Sequence, residues 1–226
     1  MELQEMRARF MRGYSADVYD VLDKMGYPNQ CMSLKIRPLH PDMKVCGAAF
    51  TIQGTSEPRF GEDFPNPDFD GFAQFRRFYD GCVIVMNAER EDCCGHWGEM
   101  MSYGAKRAGA VGAVIDGGTR DRAGILGVGD FPCFARYTSP IESKKRWRPK
   151  ALEVPIFVEG TLTRQLRVNP GDIIFGDSDG VLCIPKEISE EVLIRTEEII
   201  KNENLSREAF RAGDTIHQVF EKYNRA

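Results

Sequence analysis

The chain has 226 residues, of which 42% are hydrophobic and 28% charged, and its formal net charge is -4. That length buries a sizeable core without staples, and the composition is ordinary for a packed globular protein. No segment concentrates lysine and arginine into a nucleic-acid footprint, and no apolar stretch approaches the roughly 20 residues of a membrane helix. The seven cysteines are odd in number and irregularly spaced, and Cys82 opens an apolar run, so they read as reduced thiols and not as a disulfide framework. Met1 to Tyr14 lacks an apolar signal core. The expectation is a cytoplasmic protein that binds neither nucleic acid nor membrane, folded as one domain over residues 1–226 with a C-terminal helical segment over about 187–226.

Taken in chain order, Ser15 to Met25 reads as a helix, with Val18, Leu22 and Met25 at helical spacing and Gly26 and Pro28 stopping it. Val45 to Gln53 reads as a strand, and Thr55 to Asp70, rich in Pro, Gly, Asp and Phe, as a long loop of the kind used for lids and interfaces. Cys82 to Met86 is a fully apolar run and hence a buried strand. Gly95 to Gly98 opens a helix from Glu99 to Arg107, with Gly109 at the position of a C-terminal cap. Val111 to Ile115 is a second buried strand, and Asp116 to Asp121 the loop leaving it; strand, helix and strand in this order predict a right-handed crossover with parallel strands. The run Lys144 to Arg148 reads as a solvated loop. Pro155–Val158, Asp172–Phe175 and Val181–Ile184 read as strands between Gly/Asp/Pro turns, and from Ser189 the chain is helical with a break near Gly213. The class is a β-rich α/β domain closed by C-terminal helices.

The residues that carry chemistry sit around the crossover. Glu99 falls in the first turn of its helix, where the helix dipole favours a carboxylate, and the free amides there can receive a substrate carboxylate. Arg120 and Asp121 follow the next strand at its carboxyl end, where α/β sheets build their sites. An anion hole, a cation and two carboxylates in one cleft suit metal-assisted carbon–carbon cleavage. A carboxylate holds a hard cation such as Mg²⁺ or Mn²⁺, metal and guanidinium stabilise an enolate oxygen, and the second carboxylate moves the proton. On spacing alone, the same Arg-Asp pair fits a surface ion pair.

Longer motifs add to this. Trp97-Gly98-Glu99-Met100-Met101, Gly112 through Asp121, Phe134-Ala135-Arg136 with Ser139-Pro140, and Asn169-Pro170-Gly171-Asp172 with Asp177 to Val181 resemble one family. It contains the regulator of ribonuclease activity A and the 4-hydroxy-4-methyl-2-oxoglutarate / 4-carboxy-4-hydroxy-2-oxoadipate aldolases, and the similarity runs from about Ser15 to about Gly213. The resemblance implies a swivelling β/β/α-type fold with a central sheet and C-terminal helices, a homotrimer or pair of trimers, and active sites at subunit interfaces. It implies Asp121 as the metal ligand for Mg²⁺ or Mn²⁺, Arg120 on the substrate carbonyl and enolate, and Glu99 acting through metal-bound water. The Met100 and Met101 amides, after Gly98, would take the carboxylate of a small 2-oxo acid.

Two positions depart from the aldolase pattern. Glu99 stands where the aldolases carry Asp, with the family's twenty intervening residues before Arg120-Asp121 preserved. Gly124, separated from Arg120-Asp121 by two residues, is similar to the non-enzymatic regulators. Pro58 to Phe78 is also longer and more aromatic than the family pattern. Two functions therefore stand: a class II pyruvate aldolase with oxaloacetate decarboxylase activity, or a protein-binding regulator of a ribonuclease or another partner. Cys93-Cys94-Gly95-His96 lacks the further ligands a zinc site needs, although His96 is a candidate substrate contact. His40 and His217 read as structural or exposed, and Gly127-Val128-Gly129 is no dinucleotide fingerprint. Arg136, Lys145 and Arg148 are candidates for a distal substrate carboxylate.

Overall fold

The computed structural model describes residues 1–56, 73–89 and 92–223. The helices are α1 (Leu3–Phe10), α2 (Ser15–Lys24), α3 (Glu99–Arg107), α4 (Arg122–Gly127), α5 (Ser189–Arg211) and α6 (Ile216–Tyr223). The strands are β1 (Arg37–Pro38), β2 (Val45–Ser56), β3 (Cys82–Asn87), β4 (Gly95–Trp97), β5 (Gly112–Thr119), β6 (Cys133–Thr138), β7 (Trp147–Leu152), β8 (Ile156–Val158), β9 (Leu166–Val168), β10 (Ile173–Gly176) and β11 (Val181–Ile184).

Among the described residues one large sheet runs in the order β1-β6-β5-β3-β2-β10-β11, with β4 added to β5 and β7 to β2, while β8 and β9 form a separate hairpin. Strands β2, β3, β5 and β6 are mutually parallel, with Val83 opposite Gly112 and Asn87 opposite Asp116. The predicted crossover is present, with α3 carrying the chain from β3 and β4 to β5. Because parallel strands are covered on both faces, their apolar runs are continuous and not alternating. One face packs Ile84, Met86 and Ile115 against Trp97, Ala105 and Ile125. The other packs Val83, Val85 and Val114 against Ile156, Val158 and Leu166 of the hairpin. At the β10–β11 edge, Phe175 and Ile184 meet Phe10, Leu22 and Leu193 of α1, α2 and α5. The result is the mixed α/β domain with a curled central sheet and C-terminal helices that the sequence predicts.

Three readings are corrected. The predicted loop from Asp116 is strand as far as Thr119, because Gly118 and Thr119 pair with both β4 and β6. Gly95 to Trp97 is a short strand and not the opening of the helix. The basic run is anchored, with Trp147 buried at the start of β7 and paired with Ser56 of β2. Thr55 and Ser56 end β2, while the rest of the predicted Thr55–Asp70 loop lies outside the described residues. Of the aromatic stretch to Phe78, Phe75 and Phe78 are ordered against each other, with Phe78 edge-on to Phe50 at 4.8 Å between centroids. All seven cysteines are free thiols, and burial pushes Cys46 and Cys133 up to about 12 and Cys82 up to about 11. No helix among the described residues is long and apolar enough to cross a membrane.

Candidate active site

The site is built where α3 begins. Gly98 caps the helix in an extended conformation without a side-chain cap, and Ser102 is the first residue to donate within the helix, to the Gly98 carbonyl at 3.1 Å. The amides of Glu99, Met100 and Met101 thus precede the helical ladder and point their positive ends outward. This terminus is fixed from below: buried Trp97 donates its indole N–H to Ser102 at 2.8 Å, and the Ser102 hydroxyl donates to the Gly98 carbonyl at 3.0 Å. Met100 projects its side chain into solvent, whereas Met101 packs partly on the core, so any role of this pair in binding falls to their backbones.

Strand β5 delivers the other half. The Arg120 amide donates to the Trp97 carbonyl at 2.8 Å, and so does the Thr119 hydroxyl, which locks the end of β5 to the start of α3. A Cβ on Gly98 would lie 2.9 Å from Asp121 Oδ2 and 3.2 Å from Arg120 Cγ, so a side chain here would push these two away from the start of α3. Asp121 has φ 57° and ψ 39°, a left-handed conformation that sets its side chain at the turn into α4. Arg120 Nε lies 3.3 Å from Asp121 Oδ2. Glu99 reaches across to α4, where a Cβ on Gly124 would come within 2.4 Å of its carboxyl carbon. Glu99, Arg120, Asp121 and the open amides of α3 therefore share one end of the sheet.

Sequence reasoning missed Glu142. It follows β6, forms a bridge with Gly95, and brings Oε1 to 3.7 Å from Arg120 Nη1. The available signal was an acid in the loop beyond the carboxyl end of a strand parallel to β5, the place where such sheets gather functional groups. The donors here are carboxylate oxygens, which suit Mg²⁺ or Mn²⁺. Among the described residues, no three or more His, Cys, Asp or Glu side chains gather to hold a metal. A cation at Asp121 would lean on few protein ligands, with water or substrate oxygens completing its shell, a habit of Mg²⁺.

Other candidates are structural. His96 is buried, accepts the Gly118 N–H on Nδ1 at 3.0 Å, and packs edge-on to Trp147, so it does not face the cleft. Arg136 is not available for a substrate carboxylate: it is paired with Asp116 and, at 2.8 Å, with Glu159. Burial pushes the Asp116 carboxyl above its ordinary value against the pull of Arg136, and Asp116 also accepts the Glu159 amide at 3.1 Å. This cluster clamps β5 and β6 to the end of β8, on the face opposite α3. His40 is exposed beside Asp42 at 3.5 Å.

Comparison with known proteins agrees with this architecture. The Legionella pneumophila protein DlpA is 31% identical over 209 residues, 92% of this chain, although the chain spans about a third (32%) of that protein's length. A Halalkalibacterium halodurans protein named "Putative 4-hydroxy-4-methyl-2-oxoglutarate aldolase" is 33% identical over 179 residues, 78% of this chain and 74% of that one. The crystal structure of Streptomyces coelicolor RraAS2, described as an unusual member of the RNase ES inhibitor RraA protein family, superposes with a TM-score of 0.77 at 25% identity, covering 90% of this chain and 97% of that one. The model of the RraA-like family, Aldolase/RraA, matches residues 15–183, a span that includes every candidate residue above, and the chain belongs to that family.

Proposed function

We propose that this chain is a divalent-metal-dependent carbon–carbon lyase that cleaves a 4-hydroxy-2-oxo acid to pyruvate and a second oxo compound. The same site would decarboxylate oxaloacetate, because both reactions pass through the enolate of pyruvate. The observation that carries this reading is the convergence of the open α3 amides with Glu99, Arg120 and Asp121. The aldolase name of the H. halodurans relative supports it.

Each residue has a task. The first-turn amides of α3 bind the carboxylate at C1 of the 2-oxo acid. Asp121 would hold Mg²⁺ or Mn²⁺, and the cation would supply positive charge to the substrate oxygens. Arg120 places its guanidinium on the C2 oxygen, where negative charge grows as the C3–C4 bond breaks. Glu99 takes the proton of the C4 hydroxyl, the C3–C4 electron pair moves into the enolate, and protonation at C3 yields pyruvate. With oxaloacetate the same bond breaks and CO₂ leaves. The side chains of Asp121 and Glu142 are 42% and 62% exposed, so the cleft is open on one side. Assembly into a trimer or hexamer would cover it and exclude water.

The test is pyruvate release from oxaloacetate and from 4-hydroxy-4-methyl-2-oxoglutarate, with Mg²⁺, with Mn²⁺ and with EDTA. Release that needs metal and disappears in Arg120→Ala and Asp121→Asn is the expected result. A folded, metal-supplied protein that releases none from either substrate overturns the proposal and favours a partner-binding regulator.

A further inference from the structure

Gly124 is the third residue of α4, and its φ does not lie in the left-handed region, so its backbone makes no demand for glycine. Inside a helix glycine is less stable than alanine. What the position does require is space. A Cβ built there would stand 2.4 Å from both Cδ and Oε2 of Glu99 and 2.9 Å from its Cγ, distances no packed side chains adopt. The extra methylene that separates Glu from Asp is accommodated over residue 124.

We propose that Gly124 is a positioning residue for Glu99, and that the two form a matched pair: the longer acid is placed correctly only where α4 carries no side chain. The two departures from the aldolase pattern are then one departure, and Gly124 is not a mark of the non-enzymatic branch. The proposal rests on Glu99 acting in the reaction, as argued above, but the contact itself can be read without activity.

The neighbour at fault in Gly124→Ala would be the far end of a flexible side chain and not backbone, so the helix stays and the carboxylate moves. Four proteins decide the matter: wild type, Gly124→Ala, Glu99→Asp, and the double variant. Metal-dependent pyruvate release in Gly124→Ala should fall on the order of 10- to 100-fold, the cost of misplacing a reacting group by about 1 Å. Its melting temperature should equal or exceed that of wild type, because alanine favours the helix. The double variant, whose acid lacks the Cδ and Oε2 that come within 2.4 Å of the new methyl group and keeps only the milder 2.9 Å approach at Cγ, should return most of the way to the activity of Glu99→Asp alone. Undiminished turnover in Gly124→Ala overturns the pairing, and so does a double variant whose loss is the product of the two single losses. A crystal structure of Gly124→Ala gives a separate reading: the Glu99 carboxylate should leave its place over residue 124 with the α4 backbone unmoved. If wild type shows no turnover, the lyase reading fails while this displacement still stands or falls; a carboxylate found in place overturns the pair by itself.

Discussion

Arg120 Nη1 stands 3.7 Å from Glu142 Oε1, so the guanidinium assigned to the substrate already faces a carboxylate of its own chain. The acid is 62% exposed and the arginine 34%, so the pair contributes about 0–1 kcal/mol to stability. Its larger effect is competition with an incoming anion. Glu142→Gln should therefore lower KM for a 2-oxo acid by about two- to fivefold, the equivalent of up to about 1 kcal/mol. It should leave kcat and melting temperature nearly unchanged. The gain should shrink at high salt, which screens exposed charges. Steady-state kinetics at low and high ionic strength check this, and an unaltered KM at low salt would show that Glu142 does not compete for Arg120.

Asp121 combines the side chain proposed to hold the metal with a demanding backbone, at φ 57°. Asp and Asn tolerate the left-handed region because their side chains bond locally, whereas most other residues lose roughly 1–2 kcal/mol there. Asp121→Asn should keep the fold and lose metal-dependent turnover. Asp121→Ala should lose turnover and also about 2–4 °C or more of melting temperature, the scale of 1 kcal/mol in a chain of this size. Thermal melts of the two variants separate backbone from chemistry, and equal melting temperatures would contradict the strain argument.

The legible parts of this protein were those fixed by local pattern. Gly98 and Gly109 bracket α3, and the apolar run beginning at Cys82 announces a strand buried on both faces. Arg120 and Asp121 were legible because a single crossover returns them to the helix that carries Glu99. Partners distant in sequence hid the rest. Gly117 and Gly118 look like a turn, yet a Cβ at Gly118 would lie 2.3 Å from the Tyr137 ring; glycine serves close packing in a strand there. Trp147 hides in a basic run, although its ring fills the space above Gly54. Helix α1 buries Met6 and Phe10 and packs Leu3 partly on the core, a stripe of three among charges that is too short to announce itself. Glu142 reaches Arg120 through the bridge of its own loop to Gly95, a contact with no periodic signature.

Helix α1 lies outside the span matched by the family model, and an ion pair between Arg9 and Glu197 joins it to α5. Arg9 donates from Nε to Glu197 Oε1 at 2.8 Å and from Nη2 to Oε2 at 2.7 Å. These hydrogen bonds hold the Glu197 carboxyl below its ordinary value. A carboxyl whose folded pKa lies below its unfolded value adds stability that is present above the unfolded pKa, about 4.3, and is lost as pH falls through the folded one. With the Glu197 side chain 35% exposed, solvent screening limits the contribution to about 0.5–1 kcal/mol. Glu197→Gln should therefore lower the urea midpoint at pH 7, and the gap from wild type should close as pH falls below about 4. Paired denaturation curves at several pH values measure that gap. A gap that stays constant with pH would mean that Glu197 supports α1 by packing, not by charge, and that the docking of the N-terminal helix is indifferent to acid.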